Sequence, residues 1–309
     1  MEYCFGVDIG GTTVKMGLFQ TDGKLLDKWE IKTRTENGGE MILADVSDSL
    51  KKKLKEKAIA EAQVIGVGIG IPAPVSTEGI VHNTANLGWG YKEVKREMEE
   101  LTGFKVAVGN DANVAALGEM WLGAGRGKTD VIMVTLGTGV GGGVIVNGKP
   151  VVGNNGAGGE IGHICVNYEE TELCGCGNKG CLEQYASATG ITRLAKRRLK
   201  KDEEPSLLRG QEISAKAVFD ALKEGDEVAK EIVEEFGSYL GHALANIATI
   251  TDPAVIVIGG GVSKAGSILL KYVEKYFHEK AFFANEDTRF VLATLGNDAG
   301  ICGAAKLIL

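Results

Sequence analysis

Three cysteines fall within one short segment, Cys174-Gly175-Cys176-Gly177-Asn178-Lys179-Gly180-Cys181, and His163 stands eleven residues before the first of them. Three thiolates and one imidazole make a closed tetrahedral zinc site, the structural kind without an open position. A Cys-x-Cys pair is tighter than the usual gap, but Gly175 and Gly177 supply backbone freedom. A disulfide pair or inert thiols would use the same residues. The other cysteines, Cys4, Cys165 and Cys302, lie in apolar runs and read as core residues.

Three glycine turns could hold phosphate. They are Asp8-Ile9-Gly10-Gly11-Thr12-Thr13, Gly137-Thr138-Gly139 with the glycines after it, and Gly259-Gly260-Gly261. Glycine lets the backbone approach a ligand closely, and successive N–H groups form an anion nest. Any one of the three alone is also an ordinary tight turn. Asp8, placed at a strand end, is suited to hold Mg²⁺ through water. Two look-alikes are set aside. Gly137, Gly139 and Gly142 have dinucleotide-fingerprint spacing, but a strand rather than a helix should follow. Gly123–Thr129 is one residue short of a P-loop and follows a helix.

Carboxylates complete the inventory. Asn110-Asp111-Ala112-Asn113 follows a strand and opens a helix, where Asp111 would serve well as an N-cap. Glu160 and Glu183 flank the cysteine segment, and each alone reads as a surface acid.

The elements that must position these groups follow from hydrophobic periodicity. Strands are predicted over Tyr3–Ile9, Val14–Phe19, Leu25–Thr33, Val64–Ile71, Val106–Val108, Val131–Leu136, Val144–Val146, Ala254–Ile258 and Phe290–Ala293. Helices are predicted over Met41–Ala60, Ala112–Leu122, Asp226–Thr249, Ala265–Phe277 and Ala299–Leu307. Asn154–Cys181 reads as irregular, and the chain turns mainly helical from Leu182. Strand, glycine turn with threonine, and strand occur twice, at 3–19 and 131–146, a weak internal repeat of two similar halves. Alternating elements with hairpins imply an α/β fold with mixed sheets.

The 309 residues suffice for roughly two domains of about 150 residues each. A net charge of −7 argues against a nucleic-acid-binding face. The basic runs at Lys51–Lys55 and Lys196–Lys201 read as solvated helix faces. Neither a signal peptide nor a long apolar run is visible, so no membrane association is expected and a reducing, cytoplasmic compartment is. Six cysteines in that compartment favour metal over disulfides.

These motifs resemble the ROK family (repressors, open reading frames and sugar kinases), most closely its bacterial glucokinases, over essentially the whole chain. Asp8–Thr12 is similar to the family's first phosphate motif and Asn110–Asn113 to its catalytic motif. Glu160-Ile161-Gly162-His163 and Cys174–Glu183 resemble its paired signature. The resemblance implies a ribonuclease H-like, actin/hexokinase-type two-domain fold with an interdomain cleft. Its small domain would be 1–109 plus 298–309, and its large domain 110–297 would carry the zinc site. It makes Asp111 the general base of an ATP-dependent phosphorylation of glucose. Sugar hydroxyls fall to Asn86, Asn110, Asp111, Glu160, His163 and Glu183. ATP and Mg²⁺ fall to Asp8, Gly10, Gly11, Thr12, Thr13, Gly137, Thr138, Gly139, Gly259, Gly260 and Gly261. Structural Zn²⁺ falls to His163, Cys174, Cys176 and Cys181. Family repressors carry an N-terminal helix-turn-helix, whereas this chain starts at its first strand. A kinase for N-acetylglucosamine, mannose or fructose, and a sugar-sensing regulator, are the alternatives. A homodimer or homotetramer is the assembly the resemblance implies, and polyphosphate is the alternative to ATP as donor.

Overall fold

A computed structural model describes residues 1–309. Ten strands and ten helices follow in the order β1 (Tyr3–Ile9), β2 (Thr13–Gln20), β3 (Leu25–Lys32), α1 (Glu36–Gly39), α2 (Ile42–Glu56), β4 (Val64–Ile71), α3 (Val94–Thr102), β5 (Val106–Asn110) and α4 (Asp111–Trp121). Then come β6 (Val131–Leu136), β7 (Val140–Val146), β8 (Lys149–Pro150), α5 (Glu183–Ala186), α6 (Ala188–Leu199) and α7 (Ala215–Lys223). The chain closes with α8 (Glu227–Thr251), β9 (Val255–Gly259), α9 (Ser267–Lys280), β10 (Arg289–Leu292) and α10 (Ala299–Ile308).

The first sheet runs β3-β2-β1-β4-β5 and the second β10-β9-β6-β7-β8. In the first, β1–β2 and β2–β3 are antiparallel, while β1–β4 and β4–β5 are parallel. In the second, β9 pairs in parallel with both β6 and β10, and β7–β8 is antiparallel. Both sheets are therefore mixed. Aligning β1 to β5 with β6, β7, β8, β9 and β10 gives the same strand order twice, which is the repeat read from the two glycine turns.

The chain divides into two compact units: 1–129 with 143–159 and 294–309, and 130–142 with 160–293. These bounds differ from the expected break at 109/110. Helix α4 belongs with the first unit because it packs closely on α10. A Cβ on Gly303 would lie 1.6 Å from the Val114 carbonyl oxygen, and one on Gly118 2.3 Å from that of Ala299. The sheet face is equally tight, since a Cβ on Gly68 would lie 1.7 Å from the Ala304 oxygen. The core of this unit includes the fully buried Phe5, Leu50, Ile69 and Met98, which join β1 and β4 to α2 and α3.

Several boundaries moved for local reasons. Helix α2 ends before residue 60 because Ala58 adopts a left-handed conformation. Strand β7 starts at Val140 rather than Val144. Helix α3 was not expected. It buries only Val94, Met98 and Thr102 on an otherwise charged surface, and Gly103 in the left-handed conformation ends it. The basic run on α6 is not fully solvated: Arg198 is buried and pairs with Asp202, Glu204 and Glu231.

Candidate active site

In the first unit, Asp8 lies on β1 between Lys15 of β2 and Gly70 of β4. Burial raises its carboxyl pKa, and the charge of Lys15 opposes that shift. Room for the carboxylate exists because residue 300 is glycine; a Cβ there would stand 2.5 Å from Asp8 Oδ2. The adjoining turn is closed by its own hydrogen bonds. Gly10 N–H donates to the Thr13 carbonyl at 3.0 Å, Thr33 N–H to that of Thr12 at 2.9 Å, and the Thr33 hydroxyl to that of Gly10 at 2.6 Å. The Gly10 amide is thus engaged within the turn. Gly11 faces Asn86, since an added Cβ would lie 3.0 Å from Asn86 Cβ. Asn86 is exposed on a loop bracketed by Thr84 and the buried Trp89, whose amides and the Thr84 hydroxyl bond across its base.

Asn110 ends β5 opposite Ile71, and its amide nitrogen donates to the Ala73 carbonyl at 3.2 Å. Its Oδ1 accepts from the Ala112 and Asn113 N–H groups at 2.9 and 3.2 Å. Asn110 is therefore the N-cap of α4, the role the sequence reading assigned to Asp111. Asp111 is instead the first helical residue and exposed, with Oδ1 2.8 Å from the Ala112 nitrogen. Asn110 still has the extended backbone of the strand, and only such a residue turns its side chain onto the following amides.

In the second unit, the turn Gly137–Gly139 leads into β7, so no helix follows and the dinucleotide reading fails as expected. Gly137 N–H donates to the Gly139 carbonyl at 3.0 Å. Glu183, at the start of α5, reaches this turn. Its Oε2 accepts from Val140 N–H at 3.2 Å, and a Cβ on Gly139 would meet that oxygen at 2.2 Å. Its Oε1 accepts from the Cys174 thiol at 3.3 Å. Gly260 has φ +84° and lies so close to Leu136 that a Cβ would come within 2.4 Å of its oxygen. Glu160 and His163 are exposed at the two ends of a 3₁₀ turn, linked by His163 N–H to the Glu160 carbonyl at 3.1 Å.

The ligand atoms of His163, Cys174, Cys176 and Cys181 all lie within 4.8 Å of one another. Cys176 and Cys181 sulfurs are 3.6 Å apart, and Cys174 Sγ is 3.9 Å from His163 Nδ1. Sulfurs about 2.3 Å from a tetrahedral ion sit about 3.8 Å from each other. The four residues therefore fit an ion of that geometry. The knuckle is built by Cys174 N–H to the Asn178 carbonyl at 2.7 Å and Gly177 N–H to that of Cys174 at 2.9 Å. Burial raises the Cys174 thiol pKa and pushes Cys181 up to about 12, while the Asn178 backbone N–H lowers Cys176. Cys4 and Cys302 are buried as expected, but Cys165 is exposed. It sits in a single backbone bridge to Cys181 rather than in a covered strand.

What holds this loop is not legible in the sequence. Glu170 is buried and accepts from Arg193 at 2.9 Å, from Arg197 at 3.1 Å and from the Tyr185 hydroxyl. Gln184 accepts from Cys181 N–H at 3.1 Å and donates to the Glu172 carbonyl at 3.0 Å. The acids were visible in the loop and the arginines on a helix, but nothing local paired them. Two cavities of the second unit were also not legible. One of ≈ 340 Å³ is lined by Thr138, Gly139, Glu183, Ser187 and Arg193. Another of ≈ 330 Å³ lies beside Gly261, between Ala188, Phe219, Val262 and Lys264. No helix of the chain is long and apolar enough to cross a membrane.

The ROK family profile matches residues 4–309. A glucokinase from Halalkalibacterium halodurans is 44% identical over 309 residues, covering 98% of this chain and 94% of that protein. The ROK hexokinase from Thermus thermophilus matches with a TM-score of 0.81 at 30% identity, over 99% of this chain and 97% of that one. A ROK family glucokinase from Streptomyces griseus, solved in complex with glucose and AMPPNP, matches with a TM-score of 0.71 at 35% identity, over 99% and 98%. Matched from its first strand to its last residue, the chain belongs to the ROK family and has the actin/hexokinase-like two-domain α/β fold of its hexokinases.

Proposed function

We propose that the protein is a hexokinase-type phosphotransferase, an ATP-dependent glucokinase that forms glucose 6-phosphate with Asp111 as general base. The observation that carries this reading is the placement of Asp111: exposed, at the first position of α4, with Asn110 performing the capping. Support for substrate and donor comes from the glucokinase relatives, one of them bound to glucose and an ATP analogue.

In this mechanism Asp111 accepts the proton of the 6-hydroxyl as its oxygen attacks the γ-phosphorus in line. An alcohol is too weak an acid for full prior ionisation, so the base acts as the new bond forms. Catalysis is otherwise positioning and stabilisation of phosphate charge. Asn86, Asn110, Glu160, His163 and Glu183 hold sugar hydroxyls. The amides and hydroxyls of Gly11–Thr13, Thr138–Gly139 and Gly260–Gly261 face the phosphates. The apolar cavity beside Gly261 suits the nucleotide base. Mg²⁺, held through water by Asp8, would supply charge neutralisation on the phosphates. Zn²⁺ suits the three thiolates and His163 and would supply shape alone, because the protein fills all four positions. A reducing cytoplasm, where these thiols stay available to metal, is part of the proposal, as is a homodimer or homotetramer.

The test is ADP release measured over a panel of glucose, N-acetylglucosamine, mannose and fructose, with ATP and with polyphosphate as donor. Glucose with ATP should give the highest kcat/KM. A higher value with another hexose would reassign the substrate, and binding without turnover for every sugar would make the chain a sensor.

A further inference from the structure

Asn113 belongs to the motif that contains Asp111, yet the reaction above gives it no task. It occupies the first turn of α4 and is 3% exposed. Its amide nitrogen donates to the Gly158 carbonyl at 3.3 Å, which orients the side chain. Its Oδ1 is buried and has no hydrogen-bond partner. A buried amide left half-satisfied carries a desolvation cost that an apolar side chain of the same size would not, so asparagine here calls for a reason.

The bond to Gly158 supplies one. The segment after β8 is tied to β7 and then folded back on itself: Val151 N–H donates to the Val144 carbonyl of β7 at 2.8 Å, and Gly158 N–H to that of Val152 at 2.8 Å. Gly158 has no space for a side chain, since a Cβ would lie 2.2 Å from the Val151 oxygen. Its N–H is thus held by the segment and its carbonyl by Asn113. Glu160 follows two residues later, and Asp111 precedes Asn113 by two. On the side of β7, a Cβ on Gly143 would stand 2.7 Å from the Ala112 oxygen and 3.2 Å from Asn113 Cα, so that strand is packed against the same helical turn.

We infer that Asn113 is a positioning residue for sugar binding: it fixes the Gly158 peptide from which Glu160 is delivered, and it does so from the helical turn that carries Asp111. This rests on the kinase reading, in which Glu160 holds sugar hydroxyls. Asn113 is assigned no contact with sugar or nucleotide.

The experiment compares wild type with Asn113→Leu and Asn113→Asp, measuring KM for glucose, KM for ATP, kcat and Tm. Leucine is nearly isosteric and removes the donor together with the unsatisfied oxygen; the adjoining cavity of ≈ 250 Å³ gives its methyl groups room. Aspartate keeps the size but sets a carboxylate against a carbonyl. Both variants should raise the glucose KM roughly 10-fold, the effect of one lost hydrogen bond and its misplaced partner. The ATP KM should stay within about 2-fold, and the leucine variant should keep its Tm within a few degrees of wild type, removal of the unsatisfied oxygen offsetting the lost bond to Gly158. A merely structural role predicts the reverse, a lower Tm with both KM values moved together or neither. An unchanged glucose KM in a folded variant overturns the inference, and if leucine prevents folding the aspartate variant decides. Absence of glucose phosphorylation by the wild type would instead defeat the kinase reading on which it stands.

Discussion

Asn110 caps helix α4 and leaves Asp111 as its exposed first residue. Asn110 Oδ1 takes the Ala112 and Asn113 amides at 2.9 and 3.2 Å, and Asp111 begins the helix. Catalysis and helix capping should therefore separate by mutation. Asp111→Asn should lower kcat roughly 10²-fold or more, the usual worth of a general base. Its Tm should stay within a few degrees of wild type. Asn110→Ala should destabilise by about 1 kcal/mol through loss of the cap. Paired kinetics and calorimetry decide, and near-normal turnover of Asp111→Asn would remove the base assignment.

The cysteine cluster predicts which thiols matter for metal. Purified protein should contain about one zinc per chain. Cys181→Ser should lose it, whereas Cys165→Ser should keep it, because Cys165 lies outside the group of four. Metal analysis by mass spectrometry reads both. A stoichiometric zinc in Cys181→Ser would contradict the ligand set.

Glu170 predicts how stability depends on pH. Hydrogen bonding to Arg197, followed by Tyr185 and the Glu172 amide, holds its carboxyl well below the ordinary value of 4.5. The folded state therefore binds this proton more weakly than the unfolded chain. The contribution is fully present above about pH 4.5 and falls as the pH drops below it. Wild type should exceed Glu170→Gln in stability at pH 7, and the gap should narrow steadily below pH 4.5. Urea unfolding across that range measures it; a gap that widens in acid would show the sign to be wrong.

Two glycine substitutions should fail differently. A methyl group on Gly303 would lie 1.6 Å from the Val114 carbonyl, and two helix backbones would have to separate. Gly303→Ala should cost about 3 kcal/mol or more, at or above the top of the usual range for overpacking. On Gly139 the obstacle is Glu183 Oε2 at 2.2 Å, the mobile end of a side chain. Gly139→Ala should fold with nearly normal Tm but raise the glucose KM severalfold by displacing Glu183. Expression yield, Tm and steady-state kinetics distinguish these outcomes.

The sequence alone determined the local form of the motifs that sit on contiguous residues. The knuckle Cys174–Cys181, the glycine turns and the strand-to-helix junction at 110–111 are local, and the backbone freedom each requires is written in neighbouring residue types, whereas the backbone conformation decided that Asn110 and not Asp111 is the cap. The same holds for the long α8, whose apolar stripe is legible.

Tertiary structure decided everything that needed a distant partner. It set Glu183 against the Gly139 turn, Arg193 and Arg197 on Glu170, and Asn113 on Gly158, and it left Cys165 outside the core. Side-chain amides, carboxylates and guanidinium groups carry no periodic signal. Which of them meet depends on where glycines such as Gly68, Gly118 and Gly303 let backbones approach, and that is a property of the packed chain.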